Sequence, residues 1–438
     1  LVAARAFGFS LSGPPAPWMT PEIGFDGSIA PMNIGAGYRW NAPIVTYDFD
    51  DSFRNFFGAR GMAAVEDAIA AVEAGFGADV ATAPTDVMRL NLTAQAEGVR
   101  DLKSVTMAIL LEQAGLANAV KHTYVLHDVG HIVQRNFDPI TYIPSDSVNG
   151  SQLGVVAGPI GGGIADAVEY PVNQAEAVKR GVAGTALVPG EYAREVSRDD
   201  AGGLSYLYAT NSFHMELPPP NVQAVEGALV EAAVRPGVGK VRFFRHAPPG
   251  VIATNYVRAI RFNDVYVQNG LTKAQTLERT VYGPDILFRA EDLGLDGTGQ
   301  PHVSGRTLGP WRNHSALVGA EGEGPGTTIP YGVISFSTAG VSPTAPSMWG
   351  NFDQGGGYYL LNPLEQAPLP KLELLSHSDS GDSLKLTGIR RKYTIRASND
   401  LVSWTNVTTV SNVATTTIEA PVTGGGPIFY RAVEGAPY

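Results

Sequence analysis

Side chains able to handle a metal or a proton recur at a chemically useful spacing in one stretch, His127-Asp128-Val129-Gly130-His131. Histidines at i and i+4 share one face of a helix, so both imidazoles could reach a single zinc ion. An adjacent carboxylate could then act as base on a bound water. Three features weigh against that helix. The adjacent acid is Asp128, one methylene shorter than the Glu this chemistry uses. Gly130 inside a helix costs about 1 kcal/mol relative to Ala. Thr123, Tyr124, Val125, Ile132 and Val133 all prefer strands. No third ligand follows at a familiar spacing, which leaves His122 and His214 as guesses. The residues therefore favour a turn between two strands that carries incidental histidines. A metal held by His127 and His131 is the alternative.

Other chemistries leave weaker traces. The Gly-x-Ser-x-Gly elbow of serine hydrolases is absent, and Ser337 lacks the preceding glycine. Gly158 to Gly163 is glycine-rich, but no Lys-Ser/Thr helix start follows, so it reads as a loop and not a phosphate cradle. Asp48, Asp50 and Asp51 suit helix capping better than acid–base work. Calcium could use Asp379, Gly381 and Asp382, or Asp264, Asp292 and Asp296, although no twelve-residue calcium loop is present. Tyr358 and Tyr359, with Trp349 nearby, could form a sugar platform; burial at a domain boundary is the expected use. No catalytic residue and no organic cofactor follows from the sequence, and zinc or calcium are the only ions in question.

The elements that would position these residues follow from composition and periodicity. Hydrophobic residues make up 44% of the 438-residue chain and charged ones only 17%, with 51 Gly and 31 Pro. That mixture describes a folded protein of many short strands and turns. The net charge of −11 argues against nucleic acid, which needs a dense basic surface. With no cysteine, disulfides, thiolate metal sites and a Cys nucleophile are excluded. No run of about 20 apolar residues spans a bilayer.

The expected fold is α+β: a β-rich main domain with a small helical layer over residues 60–116, followed by a C-terminal β-sandwich module. Residues 1–42 form an N-terminal β or extended segment, whose weakly alternating Ala6–Leu11 is either a strand of its own sheet or a segment donated to a neighbouring subunit. The main domain is expected over 43–345. It opens with a strand at Pro43–Phe49, and helices follow near 61–76 and 101–115. The first helix is drawn from Met62, Val65, Ile69, Val72 and Phe76, and the second from Leu102, Val105 and Ile109, with Asp101 and Gly115 at its ends. Asn269-Gly270 marks a tight hairpin between Tyr256–Val267 and a return strand at Gln275–Tyr282. A Gly/Pro linker is expected over 346–370, and the β module over 371–438.

Two resemblances add to this reading. Tyr393-Thr394-Ile395-Arg396-Ala397-Ser398-Asn399-Asp400-Leu401-Val402-Ser403-Trp404, with the later Phe429-Tyr430-Arg431-Ala432-Val433, resembles a fibronectin-III-like module. Such modules recur at the ends of secreted bacterial proteins, and the resemblance implies an extracellular accessory role. Ile44–Phe49, Gln134–Pro139, Val148–Gly150 and Pro284–Phe288 resemble a family of large secreted bacterial proteins with no assigned activity, so no functional residue carries over. The strand-then-helix unit at 43–76 is also similar to the opening of matrixin-type zinc peptidase domains, a generic likeness that any α/β layer shares.

Low charge density, a Thr/Ser/Asn-rich surface and many β edges suit a self-associating subunit. The expected protein is an extracellular or cell-surface structural subunit without catalytic activity, its export signal removed ahead of Leu1. It would assemble as a homo-oligomer or polymer, a filament or surface layer, through β edges and terminal segments. The alternatives are a secreted zinc metallopeptidase-like hydrolase using His127 and His131, and a carbohydrate-binding or adhesive protein.

Overall fold

A computed structural model describes residues 7–25, 30–35, 37–128, 130–161, 163–216, 218–219, 221–230, 233–248, 256–295, 302–308, 313–315, 332–339, 348–353, 355, 357–361, 371–378, 381–400, 403–420 and 428–434. Strands dominate, with four α-helices among the described residues, as an α+β protein of β-rich character requires. The chain divides into two compact units, Leu1–Leu361 and Asn362–Tyr438.

The first unit is built on a five-stranded sheet. Its order is Arg242–Arg245, Ile44–Phe49, Ile286–Glu291, Gly332–Ser337 and Ser304–Leu308; the first four run parallel and the last is an antiparallel edge. Val45 to Phe49 are all buried, the pattern of a strand covered on both faces. Asp50 then leaves the strand and caps helix α1 (Asp51–Phe76) by accepting the Phe53 N–H at 2.9 Å. Phe53 and Phe57 from the first turns stack among Phe49, Phe288 and Phe336. The helix thus starts ten residues before the expected 61. Gly58 sits at φ 61° and ψ −163° and breaks the helical path, so the apolar period restarts after it and hides the first turns from a periodicity argument.

Helix α2 (Leu92–Ala96) is a short turn capped by Asn91. Helix α3 (Leu102–Gln113) matches the expected second helix, with the Asp101 carboxylate accepting the Ser104 N–H at 2.9 Å. Burial pushes the Asp101 carboxyl up to about 6, against its hydrogen bonds from Ser104 and Phe352. Helix α4 (Arg198–Tyr208) is new. It carries a capping box in which Ser197 and Asp200 satisfy each other's backbone N–H groups. Gly202 and Gly203 lower its propensity, yet both are required by contact: a Cβ would stand 2.2 Å from Pro139 Cβ at the first and 2.6 Å from Leu116 Cδ2 at the second.

The N-terminal strand Phe9–Gly13 is fully buried and pairs with Ala30–Met32, Leu116–Ala117 and Asn136–Phe137. It is a central strand of its own sheet, which corrects the donated-segment alternative for residues 9–13. The expected linker is also partly structured. Trp349–Phe352 pairs with Arg100–Asp101 and with Tyr358–Leu360, so residues up to 361 belong to the first unit. Fully buried Trp349 and its bond from Nε1 to the Ser337 carbonyl hold this segment down.

The Asn269-Gly270 hairpin is tighter than expected. Both residues are left-handed, at φ 53° and 74°, and the return strand begins at once, Leu271–Val281 pairing with Arg258–Gln268. In the second unit Gly381–Ser398 pairs with Lys371–Ser378 along its first part, with Phe429–Glu434 along its last, and with Thr405–Ala420 along both. Leu384, Leu386, Tyr393, Ile395, Ile418 and Ala420 give it a core of its own.

Candidate metal centre

The histidine stretch folds as a hairpin. Tyr124–Asp128 pairs antiparallel with His131–Gln134 through Tyr124↔Gln134, Val125↔Val133 and Leu126↔Ile132. The β-branched and aromatic residues that argued against a helix form these rungs. Gly130, at φ 91°, turns the chain in the left-handed region. Val125 and Leu126 are buried, and Tyr124 ties the base of the hairpin down. Its N–H donates to Glu169 Oε1 at 3.3 Å and its hydroxyl donates to the Leu153 carbonyl at 3.1 Å.

The tip departs from a regular ladder. After Leu126↔Ile132 the next pair is Asp128↔His131, so two residues on one strand oppose one on the other. In a regular strand His127 and Asp128 would point to opposite faces. The bulge re-aims them. One nitrogen each from His127 and His131 and one oxygen from Asp128 all lie within 4.8 Å of one another. His127 Nδ1 is 3.2 Å from Asp128 Oδ2, and His131 Nδ1 is 3.8 Å from the same oxygen. The His127 ring packs against Trp18 at 4.3 Å between centroids, and Trp18 meets Phe25 edge-on. His127 is half-buried, while Asp128 and His131 are exposed.

The strand Ile164–Pro171 and the 3-10 turn Pro21–Ile23 pack beside this hairpin. Burial pushes the Glu169 carboxyl up to about 8, only partly offset by hydrogen bonds to it and by Lys121. Asp166 is raised for the same reason.

The third ligand is therefore the neighbouring acid itself. His122 and His214 lie outside the cluster, and desolvation pushes each imidazole down to about 3. Because Asp128 stands at ligand distance, the cluster holds no separate carboxylate to act as base. The strand-turn-strand geometry is also unlike the helix that a zinc-hydrolase motif needs.

The remaining candidates resolve into structural roles. Asp48 is buried, 3.2 Å from Arg54 and 3.6 Å from Arg245, and accepts the Ala247 N–H. Asp50 caps α1 and pairs with Arg289; Asp51 is exposed in its first turn. Ser337 is buried, its hydroxyl accepting the Ala339 N–H. Asp264 is buried against Arg235 at 3.0 Å, Asp292 accepts the Gly294 N–H in a turn, and Asp382 is engaged by His377 and Tyr430. Asp296 and Asp379 lie outside the described residues. Tyr358 bonds Glu97 and packs on Phe352, while Arg60 lies over the Tyr359 ring at 5.1 Å, so these aromatics are engaged within the fold.

Sequence reasoning passed over two features. A buried chain of charges runs Arg39–Glu216 at 2.6 Å and Arg235–Asp264 at 3.0 Å, the Arg235 guanidinium also meeting the Glu216 carbonyl. Its members lie 177 and 29 residues apart, beyond any local pattern. The other is the strand Ser151–Gly161, which corrects the loop expected from Gly158: residues 158–161 pair with Ile164–Asp166, and the glycines hid an uncharged strand. Searches of protein-family models, of curated proteins and of solved structures find no match to this chain.

Proposed function

We propose that the protein is an extracellular, non-catalytic structural subunit that associates with copies of itself by strand addition. The observation that carries this reading is the strand Ser151–Gly161. Eleven residues, SQLGVVAGPIG, contain no charge, and from Leu153 onward their only described partner strand is Ile164–Pro171. Leu153 is engaged on the other edge by the Asp146 carbonyl and the Tyr124 hydroxyl; past it no described strand pairs with that edge, which is where a further strand would add. Natural edge strands are usually blunted by charge, by Pro or by cover; among the described residues Pro159 near the far end and the bonds to Leu153 at the near end act in that way.

The exposed side chains suit the same use. Val156 and Val168 sit opposite each other at 59% and 50% exposure, and Tyr170 lies across Gly154 beside them. Covering Val156 with a side chain of the added strand contributes roughly 1–2 kcal/mol, in addition to the ladder hydrogen bonds. The fibronectin-III-like pattern of the C-terminal module supports an extracellular setting. Sedimentation velocity over a concentration series tests the reading. The native chain should form concentration-dependent larger species, and Val156→Lys with Val168→Lys should remove them. A native chain that stays monomeric throughout would overturn it.

A further inference from the structure

We propose that His127, Asp128 and His131 together bind one divalent transition-metal ion of the zinc class at the tip of the Tyr124–Gln134 hairpin. The argument starts from distances. Zinc–nitrogen and zinc–oxygen bonds of about 2.0–2.1 Å in a tetrahedron place ligand atoms about 3.3 Å apart. The two measured separations from Asp128 Oδ2, 3.2 and 3.8 Å, bracket that value. The whole set falls within 4.8 Å, so small side-chain rotations bring it to bonding geometry.

The backbone supplies a second, independent reason. In a regular ladder His127 and Asp128 would diverge to opposite faces; here the two together oppose the single His131, and the bulge re-aims them toward its side. Trp18, packed on the His127 ring, holds that imidazole before any ion arrives, which lowers the ordering cost of binding. Asp128 and His131 are exposed, so the ion would have a free approach and at least one coordination position left to water or an external ligand.

Donor chemistry selects the ion. Two imidazoles and one carboxylate suit zinc, copper(II) and nickel, whereas calcium and magnesium take oxygen ligands and would find only one side chain to use. The affinity order should be copper above zinc, with zinc well above manganese. This site is independent of strand addition at Ser151–Gly161, and neither result decides the other.

Calorimetric titration of the chelator-treated full chain with zinc chloride at pH 7.5 is the test, repeated with calcium chloride. The expected result is one zinc per chain, weakened at least tenfold in His131→Ala and in Asp128→Asn, and unaffected in His377→Ala. Calcium should give no saturable heat. Copper(II) should also quench tryptophan fluorescence through Trp18, with that part of the quench missing in Trp18→Phe. Zinc affinity in His131→Ala and Asp128→Asn within twofold of the native chain would overturn the assignment, as would absence of zinc binding in the native chain.

Discussion

Replacing Arg39 by Met should destabilise the first unit severely, and the structure says by how much. The guanidinium is 1% exposed; its Nε donates to Glu216 Oε1 at 2.6 Å, Nη1 to the Leu207 and Ser212 carbonyls at 3.1 and 2.7 Å, and Nη2 to the Arg235 carbonyl at 2.9 Å. Met keeps most of the volume but strands the Glu216 carboxylate, itself 1% exposed, and three carbonyls. Removing one partner of a buried pair costs roughly 3–5 kcal/mol, and each orphaned acceptor adds on the order of 1 kcal/mol. Burial already raises the Glu216 carboxyl, with Arg39 working against it. Without Arg39 the acid should protonate more readily, so the loss should be smaller at pH 5 than at pH 8. Guanidinium chloride unfolding followed by tryptophan fluorescence gives the readout, because Trp40 adjoins the site and is buried. Adding Glu216→Gln to Arg39→Met should recover part of the loss. A cost under 1 kcal/mol, or a double variant no more stable than Arg39→Met alone, would refute the reasoning.

Two further outcomes follow from particular contacts. Glu169, raised to about 8, retains in the folded state a proton that the unfolded chain releases from its ordinary 4.5 upward, so stability should fall as pH rises across that window. Glu169→Gln should flatten the decline, worth roughly 3–5 kcal/mol by pH 9; thermal melts that stay parallel from pH 5 to 9 would contradict this. Gly115 stands at φ 105° with the Tyr38 carbonyl 2.0 Å from any added Cβ, so Gly115→Ala should cost about 2 kcal/mol or more. An unchanged melting temperature would show that the loop shifts freely.

Sequence and structure part company for identifiable reasons. Local chemistry was readable: Asp101 announces its helix through capping and Asn269-Gly270 announces its hairpin, because each depends on residues within four positions. Asp50, legible as a cap residue, was not joined to the helix expected from residue 61. Strand preferences around His127 and His131 correctly favoured a hairpin over a zinc-hydrolase helix. The convergence of the two histidines with Asp128 was not readable, because it depends on a one-residue bulge that shifts no residue preference. Helix α4 was obscured by Gly202 and Gly203, although Ser197 and Asp200 spell a capping box. The five-stranded sheet joins segments around residues 45, 243, 287, 306 and 334, and nothing in local periodicity orders them.

Amide hydrogen exchange of the peptide covering residues 153–159, measured at low and high protein concentration, bears most directly on the assembly reading. Strand addition at the open edge predicts that protection there rises with concentration while the buried Phe9–Gly13 strand stays unchanged. Exchange in 153–159 that is equally fast at every concentration would contradict it.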